Sequence, residues 1–580
     1  MPPGSDWRED RATKWPPFLL ATLLYALVLA AGPILVLYAG ATHGVSRYLY
    51  QLVDLPGMVV VACCAVAALL WAALPSVTRR VVAPRLDGPV WPVVSATLLL
   101  SLLGVPLIYH GYALSMDEYM TRFQAEIFGS GRLSVVIPEP WRRYGLAIHG
   151  GFVSYDEVTG VMASNYRPGM AAIYALFDTI GLGPYSSAFL NAGAVAIIAR
   201  VARQLFPLDR SAPLLAALLL ATSQQALAAS LTSYAMAAHL CMNLLWLTLF
   251  LNDDMRSHCL AALVGVATAS LHQIHPHLFF ALPFLLTLLR PFRPRELAMY
   301  LAVYLVGHAA VYGWDWMSFD RVVASLTAPA AATGEASPVK TMSILDRTAE
   351  MLVLPTSHAL TTVAANLVRL VAWQSVALLP LLVFAAPSVR HDRRLWPLIS
   401  SVVLSLLPYP FLMPDQGHGW GYRYLHGLLG CLALLAVPGW RALGQAPQLV
   451  RTWVVALLLA TPFVLIPIRA VQIEFFVAPY ARATPMLSRS TADIVIADSY
   501  RVLVGGDIPR NSPTRLRLPV AMNDHYLPPD MIATLCRTYT VDAPNPAQLK
   551  AMKLAVFDGP VPFLTEAYAA RNRALQECHR

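Results

Sequence analysis

The sequence predicts an all-α polytopic membrane protein of about thirteen transmembrane helices, followed by a small extracytoplasmic α/β domain. Three observations predict it. Hydrophobic residues make up 57% of the 580 and charged residues only 13%, against about a quarter charged in soluble domains. Apolar runs long enough to cross a bilayer, about twenty residues at 1.5 Å each, recur as far as residue 470. Beyond about residue 473 the runs shorten and turn β-rich. The net charge of +9 is carried almost wholly by Arg in short loops between apolar runs, which is a pattern of membrane topology. No basic stripe with interleaved aromatics points to nucleic acid as a partner.

Taken in order, residues 1–16 are polar and carry Arg8, Arg11 and Lys14. The apolar run 17–39 is too long for the core of a cleaved signal and reads as a retained first helix. A second span over 56–74 precedes Arg79, Arg80 and Arg85, and a third covers 92–112. With basic loops cytoplasmic, the N-terminus lies inside and residue 117 emerges outside. The outer loop 113–183 is long enough to be functional, and within it YRPGMAAIYALFDTIGLG reads as an interfacial amphipathic helix opening at Pro168. Spans follow near 184–204, 212–230, 233–251, 258–274, 277–290 and 297–314. A second outer loop, 315–358, is rich in Pro, Ala, Thr and Ser, and further spans cover 359–386, 396–413, 424–440 and 452–470. Residues 1–470 therefore form the membrane domain and 471–580 a tail domain outside the cytoplasm, periplasmic in a bacterial cell. Arg greatly outnumbering Lys is a compositional sign of a GC-rich bacterial genome.

In the tail, DIVIAD (493–498) and YRVLVGGD (500–507) read as strands, PPDMIATLCRTY and NPAQLKAMKLAV as helices, and Gly505-Gly506 as a turn signal. Of the seven cysteines, five lie in or beside apolar spans as small core residues. Cys536 and Cys578 lie in the tail, where an oxidising compartment permits a disulfide.

Asp117 and Glu118 follow directly after an apolar segment, where a carboxylate is costly unless it meets water, a partner or a substrate. Adjacent helical residues point about 100° apart, which favours separate tasks for the two acids. A carboxylate there suits removal of a proton from an acceptor hydroxyl, with Asp117 the first choice and Glu118 orienting the acceptor or sharing the role. The competing reading makes one acid a helix cap and leaves the other solvated. Arg423, in GHGWGYRYLHG, suits a lipid phosphate, with Tyr422, Tyr424, His418 and His426 around it and Trp420 able to stack on a sugar face. An Arg beside a span also snorkels without further function. Arg122 and Arg167 are further phosphate or sugar contacts. LHQIHPHLF holds His272, His275 and His277, for which a divalent metal, neutral donation to a substrate and plain interface packing all stay open.

The acidic pair in MDEYMTRFQAEIFGSG, the NYRPG that opens an amphipathic helix and the GWGYRYL turn resemble the C-type (GT-C) membrane glycosyltransferase superfamily, most of all its protein mannosyltransferase and aminoarabinose transferase branch. In many members the acidic loop follows the first span, whereas here it follows the third. The resemblance implies transfer of a sugar from a polyprenyl-phosphate donor to a glycan, lipid or protein acceptor at the outer membrane face, with inversion. Two other classes compete. A transporter or flippase of lipid-linked glycans requires charged residues deep in several spans, and a membrane scaffold tolerates loss of both acids.

Overall fold

The computed structural model describes residues 15–39, 44–74, 86–327, 354–412, 415–557 and 565–578. Helices dominate up to Leu487, and among the described residues five are long and apolar enough to cross a membrane, or six if the bent pair Ala212–Ala221 and Gln224–Ser230 is one span. Further apolar helices of 10–17 residues, including Trp91–Leu107, Met236–Leu251, Met255–Ala269 and Leu378–His391, complete a multi-pass bundle. The expected count of about thirteen is thus not reached by full-length helices, because several apolar runs are broken inside. The run 212–230 bends by 63°, where Ser223 caps the second half by accepting from the Ala226 amide. The run 359–386 divides into Ser357–Ala372 and Leu378–His391. At its break, the carbonyl of Trp373 accepts from the Gln225 amide and Val376 donates to Thr461. Hydropathy counts apolar length and is blind to such local capture of the backbone.

Small residues let the helices approach closely. A Cβ on Gly439 would meet the Leu381 carbonyl oxygen at 1.9 Å, so the Leu429–Leu443 helix lies directly against Leu378–His391 only because that position is glycine. Inside the bundle, Asp54 pairs with Arg369 at 2.7 Å, the side chains 0% and 1% exposed. Trp373 donates to Asp54, and Arg469 stacks on Trp373 while donating to Gln224 and to the Val53 carbonyl. Asp54 ends the π-helical turn Tyr50–Asp54, and Arg469 follows another at Thr461–Leu465. Such turns displace carbonyls from the regular ladder, and Val53 accepts from both Arg469 and Gln472.

Two sheets gather at one end of the bundle. In the first loop, Val153–Tyr155 and Val135–Val136 flank Val161–Ser164 in an antiparallel sheet, with Tyr155 opposite Met162. The sheet packs on Met116, Met120, Phe123 and Ile127 of the Met116–Gly129 helix. The expected amphipathic helix is present as Gly169–Asp178. In the tail, Ile494–Ala497 lies between parallel neighbours Val520–Asn523 and Val541–Asp542. Every residue of the first two is buried, as a short apolar run covered on both faces requires. Helices Pro529–Thr538, Pro546–Ala551 and Thr565–Cys578 accompany this sheet, and Cys536 is disulfide-bonded to Cys578.

Three expectations change in detail. YRVLVGGD is not a strand: Val504 has a left-handed φ of 54° and Gly505–Asp507 forms a 3₁₀ turn, so the apolar alternation belongs to a curled loop. The Ile466–Leu487 helix runs through residue 470, and the tail core includes Tyr144, Ala147 and Ile148 from the first loop. The tail therefore shares a core with that loop. Pro294–Thr327 continues as helix into the region expected as loop 315–358, of which 328–353 lie outside the described residues.

Candidate active site

Ser115 opens the Met116–Gly129 helix, its hydroxyl accepting from the Glu118 amide at 3.4 Å, and the two acids fall in the first turn, where the helix dipole favours them. The 100° step between them then sends each to a different environment. Asp117 faces a cavity of about 480 Å³. Its Oδ2 accepts from Arg423 Nη1 at 2.7 Å, with the pair 17% and 15% exposed, and its Oδ1 accepts from the Tyr166 hydroxyl. Burial pushes this carboxyl up, but the charge and hydrogen bond of Arg423, with the Tyr166 hydroxyl, hold it down at about 2. Glu118 is fully buried away from the cavity, its Oε1 accepting from Tyr109 at 2.8 Å. Burial lifts it to about 7.

Arg423 is delivered by a glycine-alternating loop. Gly417, Gly419 and Gly421 all have positive φ, and a Cβ on Gly421 would meet Gln225 Oε1 at 2.5 Å, so two of the loop's requirements coincide on glycine. Gln225 then pairs with Tyr422 as a strand would, donating to its carbonyl and accepting from its amide. Gln416 does the same across the turn, donating to Gly421 and accepting from the Arg423 amide at 2.9 Å. The Arg423 backbone is therefore clamped by two side-chain amides. Tyr234 ties the parts together, with its hydroxyl 2.7 Å from Ser115 Oγ and 3.2 Å from His418 Nδ1 and its ring beneath the Arg423 guanidinium.

The other expected contacts divide. Tyr424, His418, His426, Arg167 and His272 line the same cavity as Asp117 and Arg423. Tyr424 stacks on Tyr409 and donates to the Asp415 carbonyl. His272 packs against Tyr166 with ring centroids 4.5 Å apart, and burial depresses its pKa to about 4. Arg167 donates to the Ala269 carbonyl. Tyr422 is fully buried, Trp420 sits in the core donating to Tyr109, and His275 packs on Phe279 and Tyr409 outside the cavity wall. Arg122 is spent on Ser233 and the Gly111 carbonyl, stapling the first-loop helix to its neighbours. His277 bonds Asn243 and Tyr304 in the bundle core, and among the described residues no group of three or more His, Cys, Asp or Glu is placed to hold a metal ion.

Among the described residues four buried polar atoms of cavity-lining side chains have no hydrogen-bond partner: Arg423 Nε, His418 Nε2, His426 Nε2 and His239 Nδ1. Buried polar atoms are rarely left unpaired, so these four mark the wall as unusually rich in unspent hydrogen-bonding capacity. Sequence reasoning missed Tyr166, Tyr234, His239 and Asp507. Tyr166 stood inside NYRPG, and Asp507 directly after the glycine pair taken only as a turn.

No protein-family model matches the chain, and no curated protein does. Among solved structures the chain is similar to ArnT from Cupriavidus metallidurans bound to undecaprenyl phosphate, at 12% identity over 73% of this chain and 85% of that one, TM-score 0.47. It is similar to the apo state of the same protein, at 10% identity over 74% and 84%, TM-score 0.47. It is also similar to the oligosaccharyltransferase of Archaeoglobus fulgidus tethered with an acceptor peptide, at 13% identity over 69% and 57%, TM-score 0.37.

Proposed function

We propose that the chain transfers a sugar from a polyprenyl-phosphate donor to an acceptor hydroxyl at the extracytoplasmic face of the membrane, with the N-terminus cytoplasmic and the tail outside. The observation that carries this reading is the cavity-facing Asp117–Arg423 contact of 2.7 Å, which pairs a base with an anion-binding group beside unpartnered donors. The resemblance of MDEYMTRFQAEIFGSG and NYRPG to the GT-C branch supplies the donor class.

In the resting site both oxygens of Asp117 are engaged, one by Tyr166 and one by Arg423. A lipid phosphate competes for the guanidinium, which already has Nε free of partners, and a bidentate phosphate contact is a strong one. Drawing Arg423 to the phosphate releases Asp117 Oδ2 into the cavity. The carboxylate then takes the acceptor's proton as its oxygen attacks the anomeric carbon. The bond from that carbon to the phosphate oxygen breaks, and the electron pair leaves with the polyprenyl phosphate, its charge met by Arg423. One displacement inverts the anomeric centre.

The test is transfer in detergent or liposomes from a panel of polyprenyl-phosphate sugars, each with and without a chelating agent, which reads metal dependence directly. Parent protein turns over at least one donor, and Asp117→Asn loses about three orders of magnitude. Turnover of no donor, or an Asn variant as fast as the parent, removes the reading.

A further inference from the structure

Among the described residues of the tail, Val504 and Asp507 line the cavity. Val504 is β-branched yet held at φ 54°, a costly conformation that persists only where the surroundings over-determine it. They do so here. The Leu503 amide donates to Ala555 and its carbonyl accepts from Tyr480, the Gly506 carbonyl accepts from Asn523, and the Ile508 carbonyl accepts from Thr484. A loop anchored at nearly every residue holds Asp507 at a fixed point of the wall.

Asp507 Oδ2 accepts from the Met116 amide at 3.2 Å, one of the amides that the first turn of the Asp117 helix leaves without a helical partner. Its other oxygen makes no hydrogen bond among the described residues, and the side chain is part-exposed to the cavity. The tail thus plants a second carboxylate beside Asp117, one not tied to Arg423. Phe152 lines the same cavity while 41% exposed, its ring stacked on Tyr166. A carboxylate and an open aromatic face together match a sugar ring, which presents hydroxyl edges and an apolar C–H face.

We infer that Asp507 recognises the acceptor, and that the acceptor is a glycan: its free oxygen accepts from a hydroxyl neighbouring the one that reacts, and Phe152 supports the ring. This rests on the glycosyl-transfer reading. Asp507 takes no part in the displacement and orients its nucleophile.

The experiment uses the full chain and a donor that the parent turns over, with short alkyl glycosides as acceptors. Both the transferred product and the free sugar released to water are measured. Asp507→Asn keeps an oxygen to accept from Met116 but loses the charge that strengthens a hydroxyl contact. Acceptor KM is expected to rise about tenfold or more, and the ratio of transfer to hydrolysis to fall in step, while donor KM and hydrolysis stay at the parent's values. A cap with no other role leaves the ratio unchanged in Asp507→Asn, which overturns the inference. Parallel loss of hydrolysis and transfer also overturns it, since the carboxylate would then serve the donor or the fold. If the parent transfers and hydrolyses no lipid-phosphate sugar, the glycosyl-transfer reading itself falls and takes this one with it.

Discussion

Two buried or part-buried carboxylate–guanidinium contacts, Asp54–Arg369 and Asp117–Arg423, have the same length of 2.7 Å but different surroundings. The first is sealed. Its side chains are at most 1% exposed, Tyr50 covers the Arg369 guanidinium, and Arg469, stacked on Trp373, joins as a second cation. The second is open on one side to a cavity, with exposures of 17% and 15% and an unpartnered Arg423 Nε. A sealed pair has nothing to exchange with, so its charges serve to hold helices together. An open pair is a lock that an anionic ligand can spring. Arg369 Nη2 also donates to the Gly419 carbonyl at 2.9 Å, so the sealed cluster braces the loop that delivers Arg423.

The largest effect expected from this contrast is on rate. Asp117→Asn should cut transfer about a thousandfold, about 4 kcal/mol of barrier, while thermal unfolding in detergent moves little. An Asn variant that unfolds many degrees early would make the open pair a structural one after all. Asp54→Ala is the converse. It strands two guanidinium groups in the bundle, and unpairing a buried ion costs about 3 kcal/mol or more. Yield and unfolding temperature should fall, while the molecules that remain folded keep the parent's donor KM. A stable but inactive Asp54→Ala protein would move the sealed cluster into the chemistry.

The two pairs were unequally legible in the sequence. Asp117 and Arg423 stood out because each is a charge next to an apolar run, where a charge demands a reason. Asp54, Arg369 and Arg469 are isolated charges with no cluster of polar or aromatic neighbours in the chain to suggest a site, and only the fold brings them together. The clamps on Arg423 were equally hidden: Gln225 and Gln416 look like ordinary polar residues until the fold brings their amides to Tyr422 and Arg423. DIVIAD was readable as a strand because a short apolar run carries its own pattern, and Ile494–Ala497 is the central strand of the tail sheet. YRVLVGGD carries a similar pattern, but its geometry is set by long-range bonds to Ala555, Tyr480 and Thr484, which no local reading contains. Likewise, the breaks in runs 212–230 and 359–386 arise where Gln225, Trp373, Val376 and Thr461 meet across the bundle.

The neighbouring acid sharpens the contrast between sealed and open sites with a pH dependence. Glu118 is as buried as Asp54 but has no ion-pair partner among the described residues, and burial raises its pKa from 4.5 to about 7. Below pH 4.5 folded and unfolded chains both hold the proton, and its burial costs no ionisation energy. As pH rises the unfolded chain ionises first, so stability falls from about 4.5 until the folded carboxyl also ionises near 7, by about 3 kcal/mol. Glu118→Gln should flatten that fall and leave the protein more stable than the parent at pH 8, measured as unfolding temperature against pH. A slope unchanged by the substitution would place the titrating group elsewhere.

The smallest effect isolates the last tie on the open pair. Tyr166 donates to Asp117 Oδ1, the oxygen that Arg423 does not touch, and its ring packs against both His272 and Phe152. If Arg423 leaves for the phosphate, Tyr166 is what keeps the freed carboxylate aimed at the acceptor. Tyr166→Phe retains the ring and its stacking and deletes only the hydroxyl, so the cost is one hydrogen bond to a charged group with no cavity, about 1 kcal/mol or somewhat more. That corresponds to a kcat five- to tenfold lower with donor KM unchanged. A rise in donor KM with kcat intact would show instead that the hydroxyl contacts the donor, and the orienting role would pass from Tyr166 to the helix that carries Asp117.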